Sequence, residues 1–171
     1  GSVDTDTAKT YYLYYNVTDA AGNVAETKTR TIYVLDRDKP LISLSTATHE
    51  VELGGTYLHE AAGAFDNVDG NLSAWVTVAI VKDPDGTPSS VYTGNQLGVT
   101  STHITAARAD VTDISNEATY ELTYNVSDNA VDADSNPTPN AADSVVRHVV
   151  VADTLAPVIP ALATLVADEQ T

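Results

Sequence analysis

Thr119-Tyr120-Glu121-Leu122-Thr123-Tyr124-Asn125-Val126-Ser127-Asp128 decides the fold. Tyr120, Leu122, Tyr124 and Val126 alternate with Glu121, Thr123 and Asn125, a period of two that marks a strand buried on one face. The stretch has a twin earlier in the chain, Thr10-Tyr11-Tyr12-Leu13-Tyr14-Tyr15-Asn16-Val17-Thr18-Asp19. Each twin leads through a turn into a valine-rich strand, an Asp and then a Pro. The first continues to Thr31-Ile32-Tyr33-Val34-Leu35-Asp36 and Pro40, the second to His148-Val149-Val150-Val151-Ala152-Asp153 and Pro157. Tyr11 and Tyr120 are 109 positions apart while Asp36 and Asp153 are 117 apart, so the second turn carries eight extra residues. A period of this size is one small β domain. The chain reads as one complete unit of a tandem array, flanked by fragments of its neighbours.

Composition narrows the function classes. The 171 residues suffice to bury a core, and the formal net charge is −16, with a pI near 4.2. Phosphates are repelled by such a surface, which argues against nucleic acid and anionic membranes as partners. The acids suit a salty or calcium-rich medium, or serve solubility alone. Cysteine is absent, so there is no disulfide, thiolate chemistry or Cys-type zinc site. The longest apolar run, Ala74-Trp75-Val76-Thr77-Val78-Ala79-Ile80-Val81, has the length of a strand and falls well short of the roughly 18 residues of a membrane span, so no membrane insertion is expected. Gly1-Ser2 reads as a cloning remnant.

Taken in order, residues 1–36 are expected to form the closing hairpin of a preceding unit, with strands near 10–18 and 27–35 and a turn at Asp19-Ala20-Ala21-Gly22-Asn23. A lone hairpin is marginal in water, so it should dock on its neighbour or exchange strands with a second chain in a homo-oligomer. Residues 37–153 are the complete unit, with insertions at 82–115 and 129–144. Leu41–Leu44, His49–Leu53, Trp75–Val81, 119–127 and 145–152 read as strands. Val91–Thr93 and Val99–Ile104 are further strand candidates, and Ala106–Asp110 suggests a helical turn. Phe65-Asp66-Asn67-Val68-Asp69-Gly70-Asn71 reads as a turn-rich loop. Residues 154–171 begin the next unit or form a disordered tail. Short strands separated by Gly/Pro turns predict an all-β sandwich.

Four motifs in sequence carry a resemblance: Asp-x-x-x-Pro-(Leu/Val)-Ile opening a unit, Val51-Glu52-Leu53-Gly54-Gly55-Thr56-Tyr57, Phe65–Leu72, and Tyr-x-Leu-x-Tyr-Asn-Val-(Thr/Ser)-Asp. Together they resemble the bacterial immunoglobulin-like tandem repeats of large secreted or surface adhesin-type proteins. Asn116-Glu117-Ala118-Thr119-Tyr120 also resembles the tyrosine corner of sandwich domains, in which the Tyr hydroxyl bonds upstream backbone. The resemblance implies an immunoglobulin-like β-sandwich at the cell surface or secreted, with neighbouring repeats of the same protein as partners. It implies a spacer or adhesive module and no enzyme. The 82–115 and 129–144 segments depart from it by their length.

Three constellations are candidates for chemistry. In the second insertion Asp132, Asp134, Asn136, Thr138, Asn140 and Asp143 stand at loop positions 1, 3, 5, 7, 9 and 12, the spacing with which a twelve-residue loop wraps calcium. Pro137 stands where such a loop wants Gly, and a solvated Asp/Asn/Pro loop is the competing reading. At the unit boundary Asp36 and Asp38 follow a last strand, Asp153 and Asp128 repeat the arrangement, and Asp66, Asn67, Asp69 and Asn71 approach from the same pole. Calcium there neutralises carboxylates that otherwise repel; the competing reading is Asp and Asn folding onto their own turns. Third, Tyr12 and Tyr14 stand where the later copy has Glu121 and Thr123, with Tyr33 on the partner strand. Such a row stacks on glycan, anchors a protein, or packs on further sheet.

The four histidines lack ligand spacing, and no nucleophile elbow or phosphate loop is present. The expectation is therefore a non-catalytic spacer, stiffened by calcium as its cofactor. The alternative is a glycan- or protein-binding module that uses 82–115 and the tyrosines.

Overall fold

The computed structural model describes residues 2–83, 85–106 and 117–158. The two predicted tyrosine–valine hairpins are both present. In the first, β1 (Lys9–Tyr15) pairs antiparallel with β2 (Lys28–Val34) as an isolated two-stranded sheet. In the second, β9 (Ala118–Asn125) pairs antiparallel with β10 (Val145–Ala152). Between them lie β3 (Leu41–Ser43), β4 (Thr48–Glu52), β5 (Gly63–Asp66), β6 (Gly70–Asn71), β7 (Thr77–Lys82) and β8 (Ser89–Asn95).

These strands make an all-β sandwich. One sheet has the order β4-β10-β9-β7-β8 and the other β3-β5-β6. Among the described residues only β4 runs parallel to its neighbour, β10, and the other pairs are antiparallel. The alternation in the sequence becomes two faces. Tyr120, Leu122 and Tyr124 of β9, Val78 and Ile80 of β7, and Val149 and Val151 of β10 point inward, against Ile42, Ala64 and Leu72 from the smaller sheet. Each such aliphatic side chain is worth about 1.5–3 kcal/mol when fully buried.

Two polar side chains are sealed into this core. Arg147 sits on the same side of β10 as Val149 and Val151 and is fully buried. Its Nε donates to Thr46 O at 3.0 Å, Nη1 to Glu60 O at 2.5 Å and Nη2 to Ser45 Oγ at 3.3 Å. Its guanidinium lies 5.7 Å from the centroid of the Tyr124 ring. Gln96, also fully buried, accepts from Ala62 N and donates to the carbonyls of Ala62 and Ser73. Both groups pair with loop backbone at the margin of the core.

Some expectations are corrected. The 65–71 stretch is not an open loop: β5 and β6 form a tight hairpin there, closed by Gly70 at φ +73°, a conformation that costs glycine nothing. Strands of four and two residues are too short to show a period. Trp75 belongs to a 3-10 turn, Ser73–Trp75, and β7 starts after it. The 82–115 segment does contain a strand, β8, which extends the large sheet past β7 through a bulge at Ile80/Val81. Val99–Ile104 is irregular, because Leu97 and the hydrogen bond from Val99 N to Gln96 O turn the chain away from the sheet. All of the helical turn expected at 106–110 except Ala106, and the tail from 159, lie outside the described residues.

Candidate functional site

The linker between β2 and β3 runs along one pole of the sandwich, and two loops meet it there. Asp36 and Asp38 come from the linker, Asp66 and Asp69 from the β5–β6 turn, and Asp128 from the end of β9. Each loop shape follows from local chemistry. Asp66 Oδ1 accepts from Val68 N at 2.8 Å and Asp69 N at 3.0 Å, closing its own turn. Asp128 accepts from Ala130 N, Asn140 N and Asn140 Nδ2. The linker is tied to the β5–β6 turn by Asn67 Nδ2 donating to Asp38 Oδ2 at 3.1 Å, and that turn to the β9–β10 loop by Asn129 N donating to Asp69 Oδ2 at 2.8 Å.

The result is a cluster of acids. One carboxylate oxygen each of Asp36, Asp69 and Asp128 lies within 4.8 Å of the other two, and among the described residues no other such group of three forms. Asp66 and Asp128 are buried. Among the described residues nothing donates to the buried oxygens Asp36 Oδ2 and Asp66 Oδ2. Burial raises the Asp36 carboxyl above its usual range, and the charges of Asp66, Asp128 and Asp38 push it the same way. The cluster borders a cleft of about 380 Å³ between hairpin and sandwich, whose wall includes Lys9, Leu35, Val68, Ala130 and Val131.

Oxygen-only ligands suit a hard cation. Calcium takes carboxylate and carbonyl oxygens at about 2.3–2.6 Å, so two ligand oxygens on opposite sides of one ion stand about 5 Å apart. The spacing of Asp36, Asp69 and Asp128 falls inside that limit.

The second insertion is arranged differently. Among the described residues, Asp132, Asp134 and Asp143 do not form a group of three carboxylates within 4.8 Å of one another. Asp132 Oδ1 accepts from Asp134 N and Asn136 N, and its Oδ2 accepts from Asn136 Nδ2. Asn140 is held by Asp128, and Asp143 Oδ1 pairs with Lys39 Nζ at 2.6 Å on the surface. The physical reason lies in the first hairpin, where Asp19 holds Ala21 N, Asn23 N and Asn23 Nδ2 in the same pattern. Gly22 at φ +90° and Ser135 at φ +65° occupy matching positions. Asp-x-x-x-Asn is a self-closing turn, and the hydrogen bonds from Asn23 and Asn136 hold the Asp19 and Asp132 carboxyls below their usual range. The eight extra residues nest a second such turn inside the one closed by Asp128 and Asn140.

The tyrosine row is present. Tyr12, Tyr14 and Tyr33 are all exposed, and the β1–β2 register puts them on one face of the hairpin. The corner tyrosine has counterparts in both copies: Tyr11 Oη donates to Asp4 O at 2.8 Å, and Tyr120 Oη accepts from Thr105 N at 3.2 Å.

The histidines are scattered along the sequence, but two of them flank one tyrosine, Tyr57. His49, Tyr57, His59 and Tyr124 form a chain of ring contacts beside Arg147, with His59 stacked on Tyr124 at 6.0 Å. Burial, then the Arg147 charge, lowers the His59 imidazole below its usual range, and burial pushes the Tyr124 phenol up to about 12. The alternation of Arg147 with Val149 and Val151 is the one signal that foretold an occupied interior position there. No helix of the described residues is long and apolar enough to cross a membrane. No family model, curated protein or solved structure matches the chain.

Proposed function

We propose that the chain is a non-catalytic immunoglobulin-like spacer of a secreted or surface-anchored bacterial protein, with a junction between units that is stiffened by calcium. One observation carries the reading: Asp69 and Asp128, from two separate loops, converge on Asp36 of the linker between hairpin and sandwich, beside buried oxygens of Asp36 and Asp66 that have no donor among the described residues. An ion there joins the linker to both loops of the next unit and removes their mutual repulsion. Asp38 supports the arrangement through Asn67. The immunoglobulin-like assignment is supported by the order β7-β9-β10, which matches strands C, F and G of that sandwich, with β8 in the place of C′. Surface location rests on the family resemblance of the sequence motifs.

The test is a thermal melt in millimolar calcium against chelator. An ion present at a hundred times its dissociation constant adds about 2.7 kcal/mol, a shift of several degrees. Asp36→Asn gives the sharper reading, because its effect changes sign. In chelator it removes repulsion and raises the melting temperature, whereas in calcium it removes a ligand and lowers it. Identical melts for the unmodified chain in the two buffers reject the cation.

A second reading is favoured by the exposed row Tyr12, Tyr14 and Tyr33: recognition of glycan or a protein by the hairpin, with the 82–115 segment as a further surface. Retardation in affinity electrophoresis that is lost in a Tyr12→Ser/Tyr14→Thr double variant supports it. An empty glycan panel removes it for saccharides.

A further inference from the structure

The two hairpins are alike down to single residue pairs. In β9–β10 the inward pairs are Tyr120 with Val149, Leu122 with Arg147, and Tyr124 with Val145. In β1–β2 the corresponding pairs are Tyr11 with Ile32, Leu13 with Arg30, and Tyr15 with Lys28. The isolated bridges that continue each hairpin also correspond, Thr18 with Val24 and Ser127 with Ala141. Arg30 therefore holds the position of Arg147, opposite a leucine and one strand-step from a core aliphatic. Arg147 is wholly enclosed by carbonyls from the β3–β4 and β4–β5 loops, whereas Arg30 is exposed, and Tyr15 and Val17 are more than half exposed. In β9–β10 both outer edges are paired, with β4 parallel to β10 and β7 antiparallel to β9. Among the described residues the edges of β1 and β2 have no such neighbours.

We infer that the Tyr11-Leu13-Tyr15/Arg30-Ile32-Val34 face is a docking surface for the leading part of another unit of this chain's own kind, equivalent to residues 37–117. That occupant adds a strand parallel to β2 and another antiparallel to β1. It lays its smaller sheet over the tyrosines and leucine, and its loop carbonyls receive Arg30. The complete unit shows what covers such a face, and an arginine that looks for backbone acceptors is a more specific demand than an apolar patch. The inference rests on the tandem reading of the chain but not on the cation, so its test is run in chelator.

The experiment joins a second copy of residues 37–117 directly ahead of Lys9 and compares the extended chain with the original by amide hydrogen exchange. The expected result is that Tyr11, Leu13, Tyr15 and Ile32 amides exchange at least about a hundredfold more slowly in the extended chain. Arg30→Ala should abolish that protection while changing exchange in the original chain less than about twofold. A second arm replaces residues 118–153 by 9–36, and protection of the β4 and β7 amides in that chimera shows the fit without the extension. Unchanged exchange in both arms, or an Arg30→Ala effect equal in both chains, overturns the inference. So does a concentration-dependent dimer of the original chain that protects the same amides, which would give the face to a second hairpin.

Discussion

The hairpins β1–β2 and β9–β10 share strand pattern, pairing register, turn chemistry and corner tyrosine, yet one is a core and the other is surface. Leu122 and Arg147 are fully buried, while Leu13 is half-buried and Arg30 exposed. The difference teaches that register is a local property and burial is not. Cross-strand pairing and an Asp-x-x-x-Asn turn are complete within some thirty residues. The dry face needs the smaller sheet β3-β5-β6 laid over it and β4 and β7 along its edges, which the second hairpin has and the first lacks among the described residues.

Paired substitutions can break this comparison. The largest contrast is expected for the arginines. Arg147→Ala removes a fully buried side chain and its charge-assisted hydrogen bonds to Thr46 O and Glu60 O, a loss of about 3–6 kcal/mol at about 1.5–3 kcal/mol for each such bond. Arg30→Ala in the same chain should change stability by less than about 0.5 kcal/mol. Urea denaturation measures both, and comparable losses would mean that the hairpin already has a covered face.

Next in size are the leucines. Leu122→Ala leaves a cavity at the centre of the large sheet, at a cost of about 2–5 kcal/mol. Leu13→Ala, with solvent to fill the gap, is expected below about 1 kcal/mol. The same denaturation curves give both values, and the ratio between them measures how far the first hairpin falls short of a core.

A pH series separates the regions by a smaller effect. His59 is neutral in the fold at a pH where the unfolded chain binds a proton, since its folded value lies below 6.5. Stability is thus full above pH 6.5 and falls as pH drops through that value towards the folded one. His59→Gln should flatten this slope. Asp36 has the opposite sign. Its folded value lies above 3.8, so in chelator its contribution is fully present below pH 3.8 and is lost as pH rises through the folded value. A slope that survives His59→Gln unchanged would remove the histidine from the account.

The smallest effect is expected at the Lys39–Asp143 pair. It spans linker and insertion at 2.6 Å, but both side chains are mostly exposed, 59% and 89%. Solvent screening leaves about 0–1 kcal/mol for such a pair, so Lys39→Ala should move the melting temperature by no more than a degree or two. A larger shift would show that the insertion braces the junction.

Legibility in the sequence followed the length of each periodic signal. The eight-residue strands β9 and β10 were readable within a residue or two, because four inward positions in a row exclude other periods. The hairpin β5–β6 was not, since two residues have no period, and its Asp and Gly looked like a loop. At the acid cluster, Asp36, Asp38, Asp66 and Asp69 were legible as a pole of turns. Asp128 was legible as a repeat of the boundary arrangement, but its place beside Asp36 was not. In the insertion the spacing fits two patterns at once: positions 1, 3 and 5 of a calcium loop are also those of an aspartate that accepts from the backbone amides two and four residues on.

The sequence by itself determined that strands of one kind occur twice, that they pair in one register, and that their turns close on Asp and Asn. All of this is set by alternation and by side chains reaching their own backbone within a few residues. Only the tertiary structure decided that Arg147 is enclosed while Arg30 is free, that His59 stacks on Tyr124, and that acids from positions 36, 69 and 128 come within 4.8 Å. Desolvation and Coulomb repulsion depend on distance through space, which residues far apart in the chain acquire only when the sheets close on each other.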